Sequence, residues 1–406
     1  MPAPIRGARP NLKATMASLT RSGASHFGPI ELPEVRIGFV ALTDCAPVVM
    51  ASLLGLDRKH GVRIVPCRQA SWAGVRDKLL RGDIHLADML YGLVYDVHLG
   101  LGGPRRDMAL LMTLNRNGQG ITLSRQLAAR GITDARALAA AIHAGERRYT
   151  FAQTFPTSTH TLWLSYWLAS AGIDPLRDAR QITVPPRQMV LSLLSGAMDG
   201  FCVGEPWNAV AASQQVGFTV ATSQEVWPEH PEKVLGATAD FVRAHPNTAR
   251  AVTAAVLEAC RWIDASDEHR AEMARSIAAP AYVDTTVDTI LPRILGEYTD
   301  GLGGRRADAH PMRFHADGQV NFPWLSDGMW FLTQFRRWGM LRTEPDYFGL
   351  ARDIHRIGLY REVAEALEIA APAGTLRSST LIDGLVWDGS DPAGYARAFE
   401  LGALAG

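Results

Sequence analysis

Two stretches of this chain repeat the same order of elements, and that repeat constrains the fold more than any single motif does. Residues 36–89 run from Arg-Ile-Gly-Phe-Val through a loop with Asp44 and an apolar, helix-like run ending at Leu56. A strand around Val62–Val65, Trp72 and KLLRGDIHLADM follow. Residues 148–203 restate that order: Arg-Tyr-Thr-Phe-Ala, the loop Thr154–His160, an apolar run to Ile173, a strand at Gln181–Val184, Pro185-Pro186 and SLLSGAMDGFCV. Leu79-Leu80-x-Gly82 falls on Leu193-Leu194-x-Gly196 at an offset of 114, and the same offset sets Trp72 against Pro186.

Each copy reads as β-α-β-α-β. Short β-rich runs alternating with helical periodicity predict parallel strands with crossover helices, so each copy is expected to be a doubly wound α/β lobe. Two such lobes face each other most naturally across a cleft, and Trp72 and Pro186 fall at the carboxyl edges of their sheets, where open α/β folds place ligands. A duplication that is purely architectural is the alternative. The expected organisation is a tail over 1–34, a discontinuous first lobe of 35–119 and 225–365, a second lobe of 120–224, and an extension over 366–406.

Length and charge narrow the function classes. The 406 residues suffice for two or three packed units, and 41 basic side chains balance 41 acidic ones, so no global field favours nucleic acid or an anionic membrane. No apolar run approaches the ~18 residues of a membrane span. Residues 1–34 lack the apolar core of a secretory signal and contain no twin arginine, which leads us to expect a cytoplasmic protein. Cys45, Cys67, Cys202 and Cys260 are far apart and form no CxxC pair, which predicts free thiols and neither a zinc ribbon nor a disulfide scaffold. His310 and His315 are read as loop residues with no metal, since no further ligands lie nearby. The GLGG stretches at 100–103 and 301–304 lack the Gly-Lys-Ser of a P-loop.

The stretch QTFPTSTH, residues 153–160, precedes a strongly apolar helical run. Thr157, Ser158, Thr159 and His160 then occupy a helix cap and first turn, where backbone N–H groups and the macrodipole favour a small anion. The bland reading is an N-cap beside a satisfied histidine. Only four of the 41 basic residues are lysine, Lys13, Lys59, Lys78 and Lys233, and Lys233 lies in an ordered-looking segment right after the second lobe. Lysine is a compact point charge suited to a small anion, although a solvated lysine is the ordinary expectation. In Asn115–Gly120, Gly118 and Gly120 let the backbone approach a ligand and Gln119 could donate amide hydrogens, although most such stretches are only turns. Aromatic residues of 321–341, with Trp330, Gln334 and Trp338 at helical spacing, predict packing of the carboxyl-terminal part on the first lobe.

QASWAGVRD, LNRNGQGITL, TFPTSTHTLWLSYWLASAGIDP, VPPRQMV, GAMDGFCVGEPWN, HPEKVLG and MWFLTQFRRWGM occur in this order between about residue 35 and residue 365. The series resembles the nitrate-binding subunits of bacterial nitrate ABC importers. That resemblance implies a two-lobed, type II periplasmic-binding-protein fold closing on one small anion, and by motif match it implies Trp72, Gln119, His160, Pro186 and Lys233 as the contacts. In the bicarbonate-binding branch a carboxylate that works with a metal ion matches Lys233. Lysine at this position therefore implies nitrate or nitrite, with no metal and no cofactor. The amino terminus implies the branch similar to the cytoplasmic nitrate and nitrite sensors of assimilation operons. Their ligand-free form binds an RNA-binding antiterminator of the response-regulator type, with no direct contact to nucleic acid or membrane. An exported importer subunit is the alternative. An enzyme similar to the pyrimidine-precursor synthases of thiamine biosynthesis would need a cysteine-rich segment, and no set of nucleophile, base and acid stands out, so no catalysis is expected.

Overall fold

The computed structural model describes residues 26–145 and 147–399. The first 25 residues of the expected tail and the last seven of the extension lie outside the described residues. The first lobe is built on strands β1 (Glu34–Val40), β2 (Arg63–Gln69), β3 (Leu86–Leu90) and β4 (Met108–Arg116). The second holds β5 (Gln119–Ser124), β6 (Tyr149–Gln153), β7 (Ala179–Thr183), β8 (Gly200–Gly204) and β9 (Gly217–Thr222), after which β10 (Pro231–Thr238) returns to the first. The sheet orders are β2-β1-β3-β10-β4 and β7-β6-β8-β5-β9.

The repeat is visible in these orders. In each sheet the first three strands are parallel, β1 pairing with β2 and β3, and β6 with β7 and β8. The helices that follow β2 and β7 end alike, because the shared Leu-Leu-x-Gly is a helix stop: Gly82 and Gly196 take the left-handed conformation at φ 78° and 75°.

The sheets are mixed and not wholly parallel. β10 runs antiparallel between β3 and β4, and β5 antiparallel between β8 and β9. The chain therefore crosses between lobes twice, at Asn117-Gly118 and again between Thr222 and Pro231. Asn117 and Gly118 both have positive φ, 58° and 90°, and the Cβ of any larger residue at 118 would meet Met312 Sδ at 2.7 Å. The Gly-rich stretch at 115–120 is thus an interlobe crossing and not a hairpin.

The helices used below are α1 (Ala46–Leu53), α2 (Trp72–Arg81), α3 (Tyr91–Leu99), α4 (Thr159–Ser170), α5 (Met189–Leu194), α6 (Trp207–Ser213), α7 (Pro246–Asp264), α8 (Leu325–Arg337) and α9 (Pro392–Arg397). Helix α7 packs on α1 behind the first sheet, whereas α8 spans the seam. On α8, Phe331 stacks on Tyr91 of the first lobe at 4.7 Å, and Trp330 lies 6.0 Å from Tyr166 of the second and 4.8 Å from Trp227 of the crossing segment. The aromatic segment therefore packs on both lobes, because its helix is apolar on more than one side. The extension continues this cover: Ile382 N donates to Val226 O, and Tyr166 donates to Asp383 at 2.5 Å.

The lobes are in contact. Trp207 Nε1 donates to Ala41 O (3.0 Å), Thr43 N to Glu205 O (2.8 Å) and Thr157 Oγ1 to Asp96 Oδ2 (3.1 Å). All four cysteines are free, three buried and Cys67 partly so. Among the described residues no helix is long and apolar enough to cross a membrane.

Candidate functional site

Helix α4 explains why an apolar helix starts with hydroxyls. Every residue from Thr159 to Leu168 is buried, since one side of the helix covers the second sheet and the other meets the crossing segment and α8. Polar groups at such a start need partners inside the protein. Ser158 is the N-cap and accepts from Thr161 N (3.0 Å), while Thr157 reaches across to Asp96. Thr154 Oγ1 lies 2.7 Å from His160 Nδ1. With the hydroxyl donating to Nδ1, we assign the imidazole proton to Nε2, which faces the seam. Burial, then Lys233 and His230, pushes His160 well below the ordinary histidine range, so it is a neutral donor and not a cation.

Lys233 is the charge at the centre. It sits on β10, fully buried between the lobes, with Nζ 2.8 Å from Asp44 Oδ2 and 2.5 Å from Glu232 Oε1, and 5.5 Å from the centroid of the Trp72 ring. Burial alone would lower a lysine. Here Asp44, Glu232 and Asp88 outweigh it and hold Lys233 charged. The arrangement depends on a bulge: between Pro231 and Val234 the register against β4 shifts and Glu232 has no partner in that ladder. Adjacent strand residues ordinarily face opposite sides, whereas a bulge can turn two neighbours toward one place.

Glu232 carries the contacts further. Its Oε1 is 3.3 Å from His160 Nε2, not aligned for a hydrogen bond, and its Oε2 is 3.6 Å from His230 Nδ1. Burial raises Glu232 to about 7, against the lowering effect of Lys233. Asp88, beside Asp44, is pushed well up by burial and then by Asp44. His230 is lowered by burial and then by Arg377 and Lys233, and is boxed edge-on by Trp163 and Trp227.

Among the five residues expected at the site, Trp72, His160 and Lys233 converge directly or through Glu232. Gln119 is buried at the first crossing, and neither Nε2 nor Oε1 has a partner. Pro186 is buried at the start of a short 3-10 turn after β7, the position that mirrors Trp72 after β2, but no polar contact ties it to the other four. Buried unpartnered donors are costly unless something completes them. Gln119 Nε2, His160 Nε2 and Trp72 Nε1 are such donors, and Asp44 Oδ1, Asp88 and Glu232 Oε2 are buried acceptors in the same condition; His160 and Trp72 gather around Lys233 and Glu232, whereas Gln119 lines a cavity with Glu205, Arg293 and His310. Among the described residues no group of three His, Cys, Asp or Glu is placed to hold a metal ion.

Residues 28–278 match the NMT1-like family. The chain belongs to that family. It groups there with the NrtA-like proteins: it is 37% identical over 402 residues to the nitrate/nitrite binding protein NrtA of Synechococcus elongatus, covering 94% of this chain and 90% of that one. The crystal structure of the periplasmic nitrate-binding protein NrtA from Synechocystis PCC 6803 superposes with a TM-score of 0.87 at 34% identity, over 91% of this chain and 99% of that chain. The chain also matches the nitrate import ATP-binding protein NrtC of Synechocystis, 36% identical over 375 residues, and spans 56% of its length. The NrtA relatives are binding proteins and the fold is that of periplasmic binding proteins; this family member is a binding protein and not an enzyme.

Sequence reasoning missed Asp44, Asp88, His230 and Glu232 in this candidate site. The repeat offset held part of the signal, because Asp44 corresponds to Ser158 and Asp88 to Cys202. Glu232 was hidden by strand alternation, which places it opposite Lys233 until the bulge is known.

Proposed function

We propose that this chain binds nitrate or nitrite between its lobes, held by Lys233 and His160 with Gln119, Trp72 and Pro186 around the ion. The observation that carries this reading is a fully buried lysine and a buried, neutral histidine that meet across the lobes at Glu232 Oε1, 2.5 Å from Lys233 Nζ and 3.3 Å from His160 Nε2. A trigonal oxyanion accepts in its own plane from several directions, and such a set of donors supplies them. The NrtA relatives, named for nitrate and nitrite, support the same ligand.

The finer reading is a cytoplasmic sensor. Its ligand-free form would hold an RNA-binding antiterminator of the response-regulator type, and closure on the anion would release it. The second reading is a substrate-binding subunit of a nitrate/nitrite importer, favoured by the likeness to NrtA over nearly the whole chain. Both need an anion that prefers the closed form. Calorimetry with sodium nitrate and sodium nitrite tests the ligand; ~−1.5 kcal/mol per heavy atom gives a dissociation constant on the order of tens of micromolar for nitrate and roughly several hundred micromolar for nitrite. A pull-down of the antiterminator with and without nitrate separates the two roles: release by nitrate supports the sensor, and a complex indifferent to nitrate counts against it.

A further inference from the structure

Glu232 puts a carboxylate, itself a planar anion, on the donors that the proposed ligand needs. Its Oε1 lies 2.5 Å from Lys233 Nζ and 3.3 Å from His160 Nε2, while Oε2 is without a hydrogen-bond partner. The side chain is fully buried, so water cannot screen it. Every titratable or charged group facing it enters the balance: Lys233 beside it on β10, Asp44 after β1, Asp88 on β3, His160 on α4, His230 in the crossing and Cys202 on β8. Lys233 is offset by Asp44. Burial favours the neutral forms of His160, His230 and the Cys202 thiol, and burial together with the neighbouring Asp44 favours the protonated form of Asp88. An ionised Glu232 is then the uncompensated charge, and a bound anion would add a second in the same dry space.

We propose that Glu232 is a specificity-determining residue that takes up one proton as the anion binds, so that the site loads a monovalent anion and a proton together. The inference rests on the anion-binding reading above. One anion and one proton enter, the carboxylate becomes a carboxyl, and its O–H becomes a further donor to the ion; no bond other than that O–H is made. The titration range agrees, because burial brings Glu232 to about 7, near neutrality. The proton count therefore distinguishes two kinds of anion: one with no proton of its own takes up a proton through Glu232, whereas bicarbonate could offer its O–H to an ionised Glu232 and would need no proton from solution.

The test is titration calorimetry of the full chain with sodium nitrate between pH 6 and pH 9, in pairs of buffers that differ in ionisation enthalpy. The expected result at pH 8 is uptake approaching one proton per nitrate, and a dissociation constant that rises up to tenfold per pH unit above neutrality. Glu232→Gln, a neutral donor of the same shape, should bind nitrate with no proton uptake and with an affinity flat across that range. Nitrate binding by the native chain without proton uptake at pH 8 overturns the role of Glu232 while leaving the ligand reading intact. Proton uptake that persists in Glu232→Gln, or a folded Glu232→Gln that no longer binds, overturns it as well. Should that variant not fold, the native proton count decides alone. Absence of nitrate binding at every pH overturns the ligand reading, and this inference with it.

Discussion

Replacing Lys233 with alanine is expected to cost stability as well as affinity. The sequence alone suggests a surface-type change that weakens binding and leaves the fold untouched. Burial alters that expectation, since Lys233 is fully buried and paired with both Asp44 and Glu232. Removing one partner of a buried ion pair costs about 3–5 kcal/mol, because the remaining carboxylates are left uncompensated. With an unfolding entropy of ~2.1 cal/mol/K per residue over roughly 400 residues, this lowers Tm by about 4–6 °C if the lobes melt together. The deficit should depend on pH with a definite sign. Asp44 and Glu232 already sit above their ordinary values through burial, and loss of Lys233 raises them further. The folded variant then binds more protons than the unfolded chain around neutrality, so it regains stability as pH falls from 8 toward 5.5. Adding Glu232→Gln should restore part of the loss. Differential scanning calorimetry at both pH values checks this, and a Tm equal to that of the native chain at pH 8, or an identical deficit at both, refutes the burial argument. Unchanged nitrate affinity in Lys233→Ala would remove the lysine from the site altogether.

His160→Ala deletes one buried donor, and nitrate affinity measured by calorimetry should fall by about 1–3 kcal/mol, roughly 5- to 150-fold. Gln119→Leu removes two buried, unpartnered amide atoms; we expect nitrate affinity to fall about tenfold while Tm holds or rises, the opposite of a structural residue. In Gly92→Ala the new Cβ on α3 would lie 2.1 Å from Thr157 O of the other lobe. The helix itself gains about 1 kcal/mol from the substitution, so small-angle scattering should find a folded chain that nitrate fails to compact.

The parts of this molecule that were legible in the sequence are those set by local rules. The Leu-Leu-x-Gly pair set the register of the repeat, Ser158 lay in the expected cap of a helix, and the order of apolar runs announced two α/β lobes. What stayed hidden is long-range. The expected organisation already returned the chain to the first lobe after residue 224, but no local signal shows that β10 would lie between β3 and β4, or β5 between β8 and β9. These exchanges make the sheets mixed and turn the Gly118 turn into a crossing. The site divides in the same way. Lys233 stood out because lysine is rare in this chain, and His160 because a polar helix start preceded an apolar helix. Asp44 lies in the short turn after β1 and Asp88 on β3, both stretches of ordinary composition, and only the folded lobe sets them beside Lys233.

Closure is where the energetics of so small a ligand are decided. Four heavy atoms supply about −6 kcal/mol at best, and moving an open-closed equilibrium from 1:99 to 99:1 takes ~5.5 kcal/mol of differential affinity. Almost nothing is left over for rearrangement, so the open and closed forms must already be close in free energy. The interlobe hydrogen bonds supply that balance. Trp207 to Ala41, Thr43 to Glu205 and Thr157 to Asp96 net about 0.5–1.5 kcal/mol each. The Arg187–Asp284 pair, about two-fifths exposed on both sides, adds at most ~1 kcal/mol. If the lobes close on the ion as proposed, these contacts would favour the closed form whether or not the ion is bound, and so would set the resting ratio but contribute no response. In the proposed switch the response would come from groups whose state differs between the forms: the donors of Gln119, His160 and Lys233, and the charge on Glu232. Weakening an interlobe contact, as in Trp207→Phe, should therefore lower nitrate affinity and leave the proton count unchanged, whereas Glu232→Gln should abolish the proton count without loosening the lobes.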